Sequence, residues 1–451
     1  MPRRCSLRRM LRYGSSRAGG TCRGARSRWC GATRWWLLAR SGLRRRTRRC
    51  WRPGLFSCLH RRFVRRRYAG GSVSGVDEEA LVRHVLVTND FPPKVGGIQH
   101  YLGELYRRLD RSTFAVVTTK FAGADAWDAR HGFHTTRLSG RLLPTRRLAA
   151  LVEGVARDIG AEVIVIDPLW PLGHLARRLG LPWIGVVHGA EFILPARLAP
   201  FARDVARLLT SASGVIAAGA HVAEAVRALD PFVRVVNVPP GVDLARFAPA
   251  PEHREALRRQ LMMRPERAMV LFVSRLVPRK GAHIAIDALA GLGHRLEFHV
   301  VGDGRQRVSL EQRARRSGVP TVFAGRVGAA ALVSHYQAAD VLVFPAHDRW
   351  GGLEQEGFGI VILEAQASGL PVVAGLSGGT PEALDPGSGT LLATRRPQSW
   401  RSAVLRELDR RASEPPPVWG ARAFVAERFD YDRLAPAWLA ALAELGRVED
   451  A

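Results

Sequence analysis

The residues most able to do chemistry lie in one stretch, where Glu356 and Glu364 bracket the turn Gly357-Phe358-Gly359. A strand-like run, Val341 to Pro345, leads through the charged loop Arg349 to Glu356 into those glycines, and Ile360, Leu363 and Ala367 then recur at helical spacing. Glycine lets the backbone come close to a ligand, and the free N–H groups and positive dipole end of a helix start suit a diphosphate. Glu364 falls about one turn into this helix and reaches the same ligand as Glu356 from a different side. Two acids at such a separation are ordinarily solvated side chains on a helix surface. The apolar strand and the Gly-x-Gly helix start make a site the better reading here.

Two further groups suit the same ligand. Arg275 and Lys280 follow the strand-like run that begins at Met269, so both cations face whatever occupies its carboxyl end. Charge developing on a departing diphosphate oxygen is offset by fixed cations and helix N–H groups. Earlier in the chain, Arg83 to Asp90 reads as a buried strand, and Gly96-Gly97 opens a helix whose inner face is Ile98, Leu102, Leu105 and Leu109. A glycine pair there is the usual point of close ligand approach in a Rossmann-like unit. The Gly-x-Gly-x-x-Gly of dinucleotide binding does not occur at this position, which argues against nicotinamide chemistry. His188 ends another strand-like run, Trp183 to Val187. Alone it would more often be structural; beside the acid pair it is an active-site candidate.

The elements that must position these residues follow a regular plan. The 451 residues suffice for two ordinary domain cores, and the 47 % hydrophobic content is that of a globular protein. Strand-like runs at Ala115–Thr119, Val163–Ile166, Trp183–Val187 and Gly214–Ala218 are mostly separated by helical segments. That alternation predicts a parallel, doubly wound sheet with ligands at the strands' carboxyl ends. Val236 to Asp243 closes this unit, and Pro249-Ala-Pro251 reads as a linker. The alternation restarts at Met269 and runs through Leu296–Gly304 and Val322–Val327 to Gly375–Glu382, a strand-to-helix turn given a supporting role near the phosphates. A last helix over roughly Leu434–Leu445 carries Trp438, Leu439, Leu442 and Leu445 on one side. The expected organisation is a first Rossmann-like domain over 83–248, a second over 252–430, and a closing helical segment over 431–451.

The net charge of +28 is uneven, because residues 1–75 hold 22 Arg, no Lys and no acid, leaving +6 for all the rest. All five cysteines (Cys5, Cys22, Cys30, Cys50 and Cys58) fall in that segment too, which excludes disulfides and cysteine-held metal from the remainder. An RNA-binding arm, a polybasic membrane arm and an Arg-rich transit peptide all fit such a segment. The preferred expectation is translated GC-rich sequence upstream of a start near Val76 or Val82, and otherwise a disordered basic tail. No run of 18 apolar residues occurs, so no transmembrane helix is expected. Leu142–Ile159, with Arg146, Arg147 and Arg157 among Leu148, Leu151, Val152 and Val155, reads as an amphipathic, partly basic helix, and Arg107, Arg108 and Arg111 add charge nearby in sequence. Such helices can lie on anionic lipid, although most are half-buried with a solvated face.

Glu356 and Glu364 form an E-x7-E motif. With Thr88-Asn-Asp-Phe-Pro-Pro, Gly96-Gly-Ile-Gln99, Ser274-Arg-Leu-Val-Pro-Arg-Lys280-Gly281 and Glu356-Gly-Phe-Gly-Ile-Val-Ile-Leu-Glu364-Ala-Gln-Ala, the chain from about 83 to 445 resembles the retaining glycosyltransferases of that family, glycosyltransferase family 4. Within it the motifs are most similar to GDP-mannose-dependent phosphatidylinositol monomannoside mannosyltransferases. The resemblance implies an α/β GT-B fold, with two facing Rossmann-like domains of parallel sheet and a C-terminal helix crossing back to the first. It implies Arg275 and Lys280 on the donor diphosphate, aided by backbone at Gly96, Gly97, Gly357, Phe358, Gly359 and Ile360. Glu364 would hold the ribose, Glu356 and His188 the transferred sugar, and backbone near Arg326 and Val327 the base. His188, Glu356, Arg275 and Lys280 are thereby the catalytic set.

No cofactor and no metal are expected. The resemblance implies GDP-mannose or another nucleotide sugar as donor and a hydroxyl of a phospholipid or glycolipid, foremost phosphatidylinositol monomannoside, as acceptor, with an α-1,6 linkage. The expected place is the cytoplasm, peripherally at the inner face of the plasma membrane, with no nucleic-acid partner for residues 83–451. A different nucleotide sugar with a polysaccharide or other glycolipid acceptor stays open. So does, from another class, a non-catalytic basic protein that binds RNA or lipid. A retaining hydrolase using Glu354 and Glu356 is disfavoured, because two acids on one loop do not span a glycosidic bond. Asp430-Tyr431-Asp432 has the Asp-x-Asp form with which another glycosyltransferase fold holds a metal, but it reads as a turn and helix cap.

Overall fold

The computed structural model describes residues 82–198, 201–413 and 418–447; the Arg-rich segment 1–75 and its cysteines lie outside the described residues. The first sheet has seven strands, β1 His84–Thr88, β2 Phe114–Thr119, β3 Thr135–Leu138, β4 Val163–Asp167, β5 Trp183–Val187, β6 Gly214–Ala217 and β7 Val235–Asn237, in the order β3-β2-β1-β4-β5-β6-β7. The second has six, β8 Ala268–Val273, β9 Leu296–Val301, β10 Thr321–Gly325, β11 Val341–Phe344, β12 Val372–Gly375 and β13 Gly389–Leu392, in the order β10-β9-β8-β11-β12-β13. Every pairing is parallel.

The central strands are buried end to end because helices cover both faces of a parallel sheet, so they read as continuous Val, Ile and Leu runs. The strands that the apolar pattern missed, β3, β7 and β13, lie at sheet edges, are only partly buried, and can therefore carry Thr, Arg and Asn.

The C-terminal helix, Tyr431–Gly446, belongs to the first sheet although it follows the second. Trp438 packs edge-to-face on Tyr101 and Tyr106, and Leu442 and Leu445, both fully buried, close over β5 and β6. Each of these leucines contributes about 1.5–3 kcal/mol by leaving water. Where the chain crosses between domains, outgoing and returning segments touch: Val242 N–H donates to the Phe429 carbonyl at 2.8 Å. Asp430 is the cap of this helix, its carboxylate accepting from Asp432 N–H at 3.1 Å.

Two expectations from the sequence need correction. The amphipathic helix starts at Arg146, not Leu142, because both backbone polar groups of Leu142 are held by the Asn89 side chain and Thr145 caps the first turn. Thr145→Ala is expected to lower stability by about 1 kcal/mol, read as a shift of the urea midpoint with unchanged slope; no shift would remove the cap from the account. Arg107 and Arg108 do not add free positive charge. Arg107 pairs with Glu104, and Arg108 bridges Glu104 at 2.9 Å and Asp432 at 2.5 Å, tying the Gly97–Tyr106 helix to the C-terminal one.

Candidate active site

In each sheet the order reverses beside the first strand of the domain, since β1 lies between β2 and β4, and β8 between β9 and β11. Loops leaving neighbouring strands at such a point go to opposite faces and open a crevice at the carboxyl ends. The candidate residues collect at these two crevices.

On the first domain, Thr88 and Asp167 end β1 and β4 in register, and Thr88 Oγ1 donates to Asp167 Oδ2 at 2.7 Å. The other oxygen, Oδ1, lies 2.7 Å from His188 Nε2 just past β5. A buried carboxylate fixes the imidazole with its proton on Nε2 and leaves Nδ1 as the second working atom. Burial by itself lowers the His188 pKa, but the Asp167 charge and hydrogen bond, with Glu191 and Asp90 adding to them, raise it above the ordinary 6.5. Asp90 in turn accepts from Lys94 and Gln99, each at 2.5 Å, which closes the Pro-Gly loop between them.

On the second domain, Glu356 is 7 % exposed and its Oε2 faces Lys280 Nζ at 2.5 Å and Arg279. Burial would raise the carboxyl pKa; Lys280 and then Arg279 overcome it and hold the group below the usual carboxylate range. Lys280, over the Phe344 ring at 4.8 Å, is brought down to about 8, first by burial and then by Arg279 and Arg275, against the opposing pull of Glu356. An ammonium has three N–H donors, so a lysine held by one carboxylate can still reach a phosphate.

Glycines bring the two walls together. A Cβ on Gly357 would lie 3.0 Å from the His188 carbonyl oxygen, and one on Gly97 would meet Ile360 at 3.7 Å. Gly359, with φ +99, begins the Ile360–Ala367 helix, and Phe358 is buried against Gly219 and Phe429. Gly96 is exposed at the start of the Gly97–Tyr106 helix.

The remaining candidates make no polar contact with the Lys280–Glu356 pair. Glu364, also 7 % exposed, accepts from Tyr336 Oη–H at 2.7 Å, and burial raises its pKa. Arg275 is exposed just beyond β8. Arg326 and Val327 follow β10, the outermost strand on the opposite side of β8 from β11. The reading of the sequence missed Asp167, Thr88 and Arg279. Asp167 gave a usable signal as a lone acid ending a Val-Ile-Val-Ile run; the choice among Arg275, Arg279 and Lys280 had none, because all three follow one strand. Glu354 is taken up by Arg349 at 2.8 Å and, at 3.9 Å, by Arg279, so it faces no partner carboxylate across a cleft.

Two parallel-sheet domains whose reversal points carry a basic cluster and a His–Asp pair have the architecture of a two-domain enzyme acting on an anionic ligand, and the similarities to known proteins give its class. The Glycosyltransferase Family 4 model matches residues 95–246 and the Glycosyl transferases group 1 model residues 253–419. A GDP-mannose-dependent alpha-(1-6)-phosphatidylinositol monomannoside mannosyltransferase of Mycolicibacterium smegmatis is 37% identical over 328 residues, 68% of this chain and 84% of that enzyme. A D-inositol 3-phosphate glycosyltransferase of Geodermatophilus obscurus is 33% identical over 364 residues, 70% of this chain and 78% of the relative. The crystal structure of Anabaena Alr3699/HepE in complex with UDP shares the fold, with TM-score 0.69, 22% identity, and 80% of this chain and 100% of that one covered. The chain belongs to glycosyltransferase family 4 and is a transferase of the GT-B class.

Proposed function

We propose that this enzyme is a retaining hexosyltransferase that moves mannose from GDP-mannose to a hydroxyl of phosphatidylinositol monomannoside, in an α-1,6 linkage. The observation that carries the transfer chemistry is the pairing, across glycine-lined loops, of the Lys280–Arg279–Glu356 cluster with the His188–Asp167 pair. Lys280 and Arg275 take up the diphosphate with helix N–H groups behind Gly359, Glu364 holds the ribose, and His188 and Glu356 border the sugar. The bond from the anomeric carbon to the diphosphate oxygen breaks, the acceptor oxygen attacks the same face, and its proton passes to the departing phosphate. Positioning and electrostatics supply the rate, since among the described residues no side chain stands out as a covalent nucleophile. Donor and acceptor are taken from the mycobacterial relative's name. The inositol-phosphate relative supports a second reading, a water-soluble acceptor.

A lipid acceptor has its own support in the described surface. Val95, Phe121 and Leu143, 91 %, 47 % and 56 % exposed, follow β1, β2 and β3 on one side of the first sheet, with the exposed Arg141, Arg146 and Arg147 close to Leu143 in sequence. Apolar tips among cations suit an anionic membrane surface. No helix among the described residues is long and apolar enough to cross a membrane.

The test is single-turnover transfer from radiolabelled GDP-mannose, then UDP-glucose and UDP-N-acetylglucosamine, to phosphatidylinositol monomannoside and to inositol phosphate. Label on the lipid from GDP-mannose alone supports the reading; label only on the soluble acceptor, or only from another donor, removes its specific part. In parallel, Phe121→Ser with Leu143→Ser is expected to weaken flotation with phosphatidylinositol-containing vesicles roughly fivefold. Equal flotation would take these tips out of the membrane contact.

A further inference from the structure

Beyond the glycine loops and the crossing segments, side chains reach from one domain to the other. Arg197 Nη1 donates to the Gly352 carbonyl at 2.7 Å, His221 Nε2 lies 3.1 Å from Gln355 Oε1, and Glu382 reaches the Ala220–Leu229 helix. The last is the most fully built. Glu382 Oε2 accepts from Ala220 N–H at 2.6 Å and Oε1 faces Asn237 Nδ2 at 3.4 Å, while Asn237 Oδ1 accepts from Gly219 N–H at 3.0 Å. A carboxylate at a helix start is favoured by the free N–H groups and the dipole. Here it comes from the opposite domain. The sequence reading gave the Gly375–Glu382 turn a supporting role near the phosphates; the turn packs on the Glu356–Phe358 loop, and its Glu382 carboxylate reaches the first domain.

What stands behind Glu382 matters as much. The turn that precedes it holds both backbone polar groups of Glu356, since Glu356 N–H donates to Ser377 Oγ at 3.0 Å and Gly379 N–H donates to the Glu356 carbonyl at 3.2 Å. Gly378, with φ +49, lies so close to that carbonyl that a Cβ would run into it. Thr380 Oγ1 locks the turn, accepting from Ser377 N–H at 3.0 Å and donating to the Gly375 carbonyl at 2.7 Å. Ser377 Oγ–H donates onward to Asp348 Oδ1 at 2.6 Å. A rigid turn therefore has the acidic member of the cationic cluster at one end and a plug into the other domain at its far end.

We propose that Glu382 is a positioning residue: by seating on the first turn of the Ala220–Leu229 helix it makes the placement of Glu356 depend on the two domains being together. This rests on the glycosyl-transfer reading of the site. When the domains part, Glu382 loses its N–H donor and the turn holding Glu356 loses its outer anchor, so Lys280 is correctly countered only in the closed arrangement. Premature loss of donor to water is disfavoured by the same device, because the site is assembled only once the cleft has shut.

Two substitutions remove the same contact from opposite sides. Glu382→Ala deletes the acceptor, and Ala220→Pro deletes the donor N–H at the first helical position, where proline is tolerated; Gly219 before it, at φ +125 and ψ 152, already lies outside the α region that a following proline excludes. In the full chain, each is expected to speed amide hydrogen exchange about tenfold both at 219–223 and at 355–360, and to lower kcat about tenfold with the donor KM held within about twofold. Glu382→Gln, which keeps an acceptor oxygen, falls between wild type and alanine. The double variant is no worse than Glu382→Ala alone, because the alanine already removes the contact that Ala220→Pro takes away. Faster exchange confined to the neighbourhood of each substitution, an unchanged kcat, or additive losses would overturn the proposal. Exchange is measured without substrate, so a chain that turns over no offered donor while 355–360 still responds to Ala220→Pro keeps the coupling and loses only the assigned donor and acceptor.

Discussion

Lys280→Ala is expected to lower kcat/KM for the nucleotide-sugar donor by about 10²–10³-fold, the usual loss when one preorganised charge is withdrawn from a developing anion. The wild-type profile is expected to carry the same signature. Lys280 titrates at about 8, so kcat/KM falls as pH rises through that value, while the donor-saturated kcat falls at higher pH because a bound diphosphate favours the ammonium. Glu356→Gln gives the sharper test. Without the carboxylate that opposes burial, the Lys280 pKa drops below about 8 and the lysine is neutral over more of the working range. Its defect should therefore be severe at pH 8 and recede at pH 6. A loss independent of pH would show that Glu356 acts on the sugar alone and not through Lys280.

Asp167→Asn is expected to lower kcat by about 10²-fold with little change in fold. The amide has one acceptor oxygen, and Thr88 Oγ1–H claims it at the position now occupied by Oδ2. The amide NH₂ then faces His188 Nε2, which must become an acceptor, so the ring proton moves to Nδ1. The main charge that raised the imidazole pKa goes too, leaving burial opposed only by the weaker Glu191 and Asp90 contributions, which moves the basic limb attributable to His188 to lower pH. Stability follows the same pair. The folded pKa lies above the ordinary 6.5, so the wild-type His188–Asp167 contribution is fully present below pH 6.5 and is lost as pH rises through the folded value. The variant should show a flatter stability profile in that window. Denaturant midpoints from pH 5 to 9 check this, and equal slopes for the two proteins would contradict it.

The features legible in the sequence were those whose physics is local. Ile360, Leu363 and Ala367 mark a helix by period, and the Gly357-Phe358-Gly359 turn marks its start; the helix indeed runs Ile360–Ala367. β1, β4 and β5 announce themselves because burial on both faces keeps their interiors apolar, with polar residues confined to the ends. The edge strand Thr135–Leu138 does not, because its stability comes from pairing with β2 rather than from its own composition. Long-range electrostatics was the least legible. Nothing in Arg275-Leu276-Val277-Pro278-Arg279-Lys280 says that the 3₁₀ turn Pro278–Lys280 swings Arg279 and Lys280 onto Glu356 while Arg275 remains exposed. Likewise Asp167 becomes meaningful only when register sets it beside Thr88 and brings His188 over it.

The returning helix has a consequence for how the enzyme comes to exist. Ile184, Val186 and Ile216 on the first sheet share one core with Trp438, Leu442 and Leu445, so that face stays open to water until residues 431–446 have left the ribosome. The domain made first is completed last. At about 5–20 residues per second, its apolar face waits through synthesis of the whole second domain, and truncation before Tyr431 should injure the distant first domain more than the adjacent second.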